Sequence, residues 1–159
     1  MSRFITAIIG FAIIIPLMYL GGPFVTIVVL VVGLLAQIEL YRLFEDAGIH
    51  PHKSLGALIG ILITLNTVIK HDPLLTLVLG ALLISLIELF RNHPQPIQNV
   101  SATIFGVIYP VLFLNYALHL RFGTDLMIIK NPDEQGFWLL LTVFLMVAAT
   151  DTAAYYVGR

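Results

Sequence analysis

The sequence contains no cysteine, which removes disulfide frameworks, thiolate zinc sites and cysteine nucleophiles from the available chemistry. Charge is scarce as well. Asp, Glu, Lys and Arg make up 11% of residues, where an ordinary soluble domain carries roughly 25%. Eight Lys and Arg against nine Asp and Glu leave a formal net charge of -1. The basic residues stand singly between apolar runs, with no cationic tail or stripe, so no nucleic-acid partner is expected. Also missing are a phosphate-cradling P-loop, a dinucleotide fingerprint and a G-x-S-x-G nucleophile elbow.

Apolar residues are what the chain has in excess: 59% of positions, with a mean hydropathy of +1.00. A 17.6 kDa globule cannot hide that much apolar surface from water, because small domains keep a large share of their surface exposed. Lipid must be the solvent for most of it. The expected fold is all-α, a polytopic integral membrane protein of about six transmembrane helices, with residues 1–159 forming a single transmembrane helical domain. Spanning helices need about 20 mostly apolar residues. The runs that qualify are Phe4–Leu20, Phe24–Tyr41, Leu55–Ile69, Leu74–Phe90, Val100–Leu120 and Phe137–Val157, the third being short and interrupted by Gly56, Gly60, Thr64 and Asn66. Pro16 and Pro110 lie inside runs, where lipid-embedded helices tolerate them better than soluble ones do.

The breaks between runs have plain chemistry. Gly21-Gly22-Pro23 predicts a tight turn, Glu45 to Ser54 a polar loop with a helix-ending Gly48, and Pro73 the first position of the fourth helix. Asn92 to Pro96 is a loop, and Thr124 to Gly136 the longest polar connection. Arg3 ahead of the first run also fits a signal peptide, but a second apolar run follows after only three residues, which favours a helical hairpin. Six spans put both termini on one side together with Arg3, Arg42, Lys53, Arg91 and Arg159. Lys70, Arg121 and Lys130 fall on the other, which points to the first side as cytoplasmic. The segment 38–42 (IELYR) is echoed by 87–91 (IELFR), a hint of a repeated hairpin.

Few residues in such a chain can carry chemistry. Asp151 follows fourteen apolar or small residues of the last run and lies roughly 12 Å along the helix from Arg159. Carboxylates at that depth are rare and commonly functional, the plain alternative being an Asp wetted by headgroups. Glu39 and Glu88 belong to the same face and could join Asp151 around a hard cation, although each has an arginine three residues on, as an ordinary helical ion pair does. His50, His52 and His93 are loop histidines without a zinc spacing. Tyr19, Tyr41, Phe90, Trp138 and Tyr156 read as interfacial anchors, and Gly56 with Gly60 as a close-packing pair.

The last nine residues, 151–159 (DTAAYYVGR), are not generic membrane sequence. They resemble the D-x-x-A-Y-x-x-G-[RK] segment of phosphatidate cytidylyltransferases, the bacterial CDP-diacylglycerol synthases, with Asp151, Ala154, Tyr155, Gly158 and Arg159 at its fixed positions. Residues 3–7 resemble the family's R-x-I-x-A opening and 39–43 its E-x-x-x-L. Gly106 and Tyr109, followed by Leu118, Leu120 and Arg121, fit a G-x-x-Y run leading to an L-R pair. The resemblance implies an enzyme that joins CTP and phosphatidic acid into CDP-diacylglycerol and pyrophosphate, with Mg²⁺ as cofactor, in the cytoplasmic (inner) membrane. It implies Asp151 as metal ligand and catalytic group, Tyr155 and Arg159 as catalytic partners on lipid headgroup and phosphate, and Gly158 in the cofactor-binding turn. A homodimer is compatible with it. The family's S-P-x-K-T-x-E-G segment and its H-G-G and D-R-x-D signature do not occur before Arg159. The chain therefore resembles the N-terminal part of the enzyme and is expected to be inactive alone. Two other readings stay open: a CTP-using polyprenol or phytol kinase or CDP-archaeol synthase, and a non-catalytic membrane transport or assembly protein.

Overall fold

A computed structural model describes residues 2–91, 93–122 and 132–158. It contains α1 (Ser2–Leu20), α2 (Gly22–Asp46), α3 (Lys53–Val68), α4 (Pro73–Leu89), α5 (Pro96–Gly106), a π-helical segment (Val107–Leu112), α6 (Phe113–Phe122) and α7 (Pro132–Val157), and no strand among the described residues. Each expected apolar run is a helical rod, α5 to α6 running on as one. Three helical stretches, Gly22–Asp46, Pro96–Phe122 and Glu134–Tyr155, are long and apolar enough to cross a membrane. With 16 and 17 residues, α3 and α4 reach about 24–26 Å at the usual helical rise, short of a 30 Å hydrocarbon core. Large apolar side chains such as Leu35, Leu82, Phe113 and Met146 lie exposed, as lipid-facing residues do.

The ends of the helices follow local chemistry. At Gly21 and Gly22 φ is +63° and +51°, which lets α1 reverse into α2 within the expected turn. Gly48, with φ +80°, closes α2 through bonds from its own amide to Glu45 and from the Ile49 amide to Phe44. α2 thus ends at Asp46, five residues after Tyr41 and later than the apolar run alone indicates. Asp72 caps α4 by accepting the Leu74 amide at 2.8 Å, with Pro73 at the first helical position as expected. Pro110 cannot donate to the preceding turn, and the ladder there opens into the π segment. The expected polar connection up to Gly136 is shorter than it reads, because α7 already begins at Pro132.

The chain forms two compact units, Met1–Val25 with His119–Arg159, and Thr26–Leu118. In the first, α1 packs on α7, and Arg121 is the clasp. Its side chain is 7% exposed, reaches the Met18 carbonyl, and lies against Gly21 so closely that any Cβ there would strike the guanidinium. Its backbone carbonyl is likewise packed on Gly136 of α7. An arginine assigned to a membrane face by charge counting is thus buried, with its Nε on the Met18 carbonyl inside the unit.

In the second unit α3 packs on α4 and on the π segment, and α4 on α5. Ile59, Ile63, Ile84, Val107, Val111 and Leu112 form the apolar centre. Asn66 donates to Thr76, tying the α3–α4 hairpin near its turn. Two glycines admit Tyr41 of α2. A Cβ on Gly56 of α3 or Gly106 of α5 would collide with its ring, and the side chain is fully buried. Tyr41 is therefore not an interfacial anchor but a wedge between three helices. Tyr19, Phe90 and Trp138 remain exposed as anchors should be. Gly56 and Gly60 do serve close packing, Gly60 against Gln37 and Val111. Gly106→Ala is expected to lower stability by about 1–3 kcal/mol through overpacking against Tyr41. Gly33→Ala, where the nearest atoms stand 3.8 Å away, should cost nothing; thermal midpoints in detergent compare the two.

Candidate functional site

The second unit gathers polar side chains that its apolar helices would otherwise expel. Glu88, near the end of α4, is 3% exposed. A carboxylate removed from water must be compensated by hydrogen bonds and charge, or it costs several kcal/mol. Glu88 is compensated on every side. His52 Nε2 donates to Oε2 at 2.5 Å, Asn99 Nδ2 donates to Oε1 at 2.7 Å, and Arg91 Nη1 stands 3.8 Å away. The expected pairing of Glu88 with Arg91 is present, but as the weakest of these contacts, and Glu88 does not snorkel. Glu39 is exposed and forms no ion pair with Arg42 among the described residues.

The same groups hold the 49–52 loop against α5. Asn99 Oδ1 accepts the His50 amide at 2.8 Å, Thr103 Oγ1 accepts the His52 amide at 2.9 Å, and Thr103 in turn donates to the Asn99 carbonyl at 2.7 Å. Arg91 Nη1 donates to the His50 carbonyl at 3.0 Å. One turn further along, the Tyr41 hydroxyl donates to the Thr103 carbonyl at 2.8 Å and accepts from Gln37 Nε2 at 3.0 Å. Lys53 pairs with Glu45 at the surface of the loop. The network links α2, the loop, the end of α4 and the start of α5.

Asn99, Thr103 and Gln37 escaped the sequence reading, as did the real place of Tyr41. Their signal was the spacing: polar residues four apart, 99 and 103 in one apolar run and 37 and 41 in another, facing a neighbouring helix. The IELYR and IELFR segments do not occupy equivalent places. Tyr41 is buried where Phe90 is 84% exposed, and Glu39 is exposed where Glu88 is buried. Among the described residues no three His, Asp or Glu side chains gather closely enough to hold a metal ion. The histidine trio is therefore not assembled as a cation site. His50 and His93 meet ring to ring at 5.3 Å, and His52 belongs to Glu88.

The segment 151–158 ends α7 in the first unit. Asp151 and Tyr155 are one helical turn apart and both exposed, so they share a face as their spacing requires. Asp151 makes no hydrogen bond or ion pair with a described residue. Thr150 and Thr152 turn back onto the carbonyls of Met146 and Ala148 instead. Gly158 closes the helix through its amide to the Ala154 carbonyl at 2.9 Å, and Arg159 lies outside the described residues.

The profile of the cytidylyltransferase family matches residues 1–159. The chain belongs to that family. It is similar to a phosphatidate cytidylyltransferase of Synechocystis sp., with 26% identity over 179 aligned positions that take in 99% of this chain and 60% of the relative. It thus spans about three fifths of that curated relative's length. No solved structure matches it. Within this family member, Glu88→Ala should destabilise the fold by about 3 kcal/mol, because His52, Asn99 and Arg91 lose their common acceptor. Glu39→Ala should stay within about 0.5 kcal/mol of the parent; denaturant titration in micelles measures both.

Proposed function

We propose that the chain serves as the N-terminal membrane part of an enzyme that transfers CMP from CTP to phosphatidic acid, giving CDP-diacylglycerol and pyrophosphate in the cytoplasmic membrane. Membership of the cytidylyltransferase family supports the reaction class, and the name of the Synechocystis relative supports the lipid acceptor. The observation that carries the site is the 151–159 segment at the end of an apolar helix, with Asp151 and Tyr155 exposed on one face.

In the proposed reaction a phosphate oxygen of phosphatidic acid attacks the α-phosphorus of CTP. The bond from that phosphorus to the bridging oxygen of the β-phosphate breaks, and pyrophosphate leaves with the electron pair. Such transfers depend on positioning and on neutralising the charge that builds on the phosphate oxygens. The Asp151 oxygens are unengaged among the described residues and suit Mg²⁺, which takes one or two carboxylates and completes its shell with water and substrate phosphates. Bound there, the ion would supply charge neutralisation. Arg159 offers a planar fork to a phosphate, Tyr155 a hydroxyl beside Asp151, and Gly158 a turn without a side chain that lets backbone approach the nucleotide. Because the chain spans 60% of the relative, the activity is proposed for the full-length gene product rather than for residues 1–159 alone.

The test uses proteoliposomes of the full-length gene product with CTP labelled at the α-phosphate, and phosphatidic acid. Label is expected in the lipid fraction with stoichiometric pyrophosphate. Asp151→Asn should lower kcat by roughly 10² or more, as expected when a metal ligand worth several kcal/mol is lost. Label left in soluble CDP would identify a lipid kinase instead, and normal turnover by Asp151→Asn would remove that residue from the site.

A further inference from the structure

Where α4 ends and α5 begins, the second unit opens a groove of about 780 Å³, within the roughly 300–1,000 Å³ range of small-molecule sites. Its walls divide by chemistry. Leu89, Ile97 and Val100 make the apolar side, with Leu89 and Ile97 each 80% exposed, while Arg91 and His93 stand at the polar edge. A phospholipid makes the same division at the boundary between its phosphate and its first acyl carbons.

The charges in the groove are not equivalent. Glu88 also borders it, but both of its oxygens are occupied by His52 and Asn99, and its side chain is 2% exposed. Arg91 is half open, with its side chain 30% exposed. Its Nη1 is fixed on the His50 carbonyl, while its Nε and Nη2 make no hydrogen bond to a described residue. The guanidinium is thus held in place by one nitrogen and keeps two donors for a phosphate, the bidentate use to which arginine is suited. The first turn of α5 begins at the same groove with no side chain capping it, which adds amide donors and the positive end of the helix dipole.

We infer that this groove binds the headgroup of an anionic phospholipid, with Arg91 and the start of α5 on the phosphate and Leu89, Ile97 and Val100 against the upper acyl chain. The inference does not rest on the transfer chemistry proposed above, since it concerns residues 85–101 and requires no turnover.

Ile97→Trp combined with Trp138→Phe places a lone tryptophan reporter at the groove of the 159-residue chain in neutral detergent micelles. Brominated phosphatidic acid should quench it at about fivefold lower mole fraction than brominated phosphatidylcholine, the scale of one arginine near a phosphate. Arg91→Gln should bring the two curves together. Because Arg91 also braces His50 and Glu88, Ser101→Phe provides a second variant that narrows the groove and leaves the guanidinium alone; it should erase the same difference. Equal quenching by the two lipids in the reporter chain, or a preference that survives both variants, would overturn the assignment. So would loss of the preference on adding millimolar inorganic phosphate, which would mark a site for soluble anions.

Discussion

A carboxylate placed among apolar helices has no water to fall back on, and Glu88 accordingly commits its surroundings. With 3% of its surface exposed, it needs donors from three directions, and the chain supplies them from a loop, from its own helix end and from the next helix. Each donor is then obliged to be where it is. His52 can reach Glu88 only if the 49–52 loop folds down, and that loop is held by Asn99 and Thr103 accepting its amides. Asn99 uses both ends of its amide, one on the loop and one on Glu88, so α5 cannot slide without breaking both. Such a network adds less to net stability than its bond count suggests, since burial of each member is costly. Its effect is to select one arrangement of helices whose apolar faces alone would pack in several.

Tyr41 extends that selection into α2. The ring enters only because Gly56 and Gly106 lack side chains, and its hydroxyl closes the polar line on the Thr103 carbonyl. Small residues that admit a close approach, with a polar group to fix the register, are the usual means of helix association where lipid supplies no hydrophobic drive. The consequence for function lies at the polar rim. Arg91 is positioned by the His50 carbonyl and Glu88, and its Nε and Nη2, beside an apolar groove, bond to no described residue. Asp151, in the first unit, lacks such bracing among the described residues.

Much of the architecture was readable from composition and spacing. Hydropathy located every helical rod, and Gly48, Pro73 and the Gly21-Gly22-Pro23 turn marked their ends because each has a backbone requirement that few other residues meet. The family was readable because 151–159 combines a carboxylate late in an apolar run with a tyrosine, glycine and arginine at set spacings. The buried network was not, for a physical reason. A glutamate late in an apolar run has the same sequence appearance whether it stays exposed, as Glu39 does, or turns inward, as Glu88 does. The choice depends on donors some 36 residues earlier and 11 later, at His52 and Asn99, and no local pattern records them. Tyr41 was misplaced in the same way, because the space that receives it belongs to two glycines on other helices.

Hydrogen exchange of the chain in lipid nanodiscs, resolved at single amides, tests this account most directly. The 49–52 segment has no helix of its own, and side chains of α5 hold the amides of His50 and His52. The amides of His50 and His52 should exchange within about tenfold of those in the Asn99–Thr103 turn, as members of one cooperative unit. Exchange of those two amides at the rate of the Lys70–Asp72 turn would contradict it, since the loop would then open without disturbing the helices and Glu88 would not be the constraint that orders them.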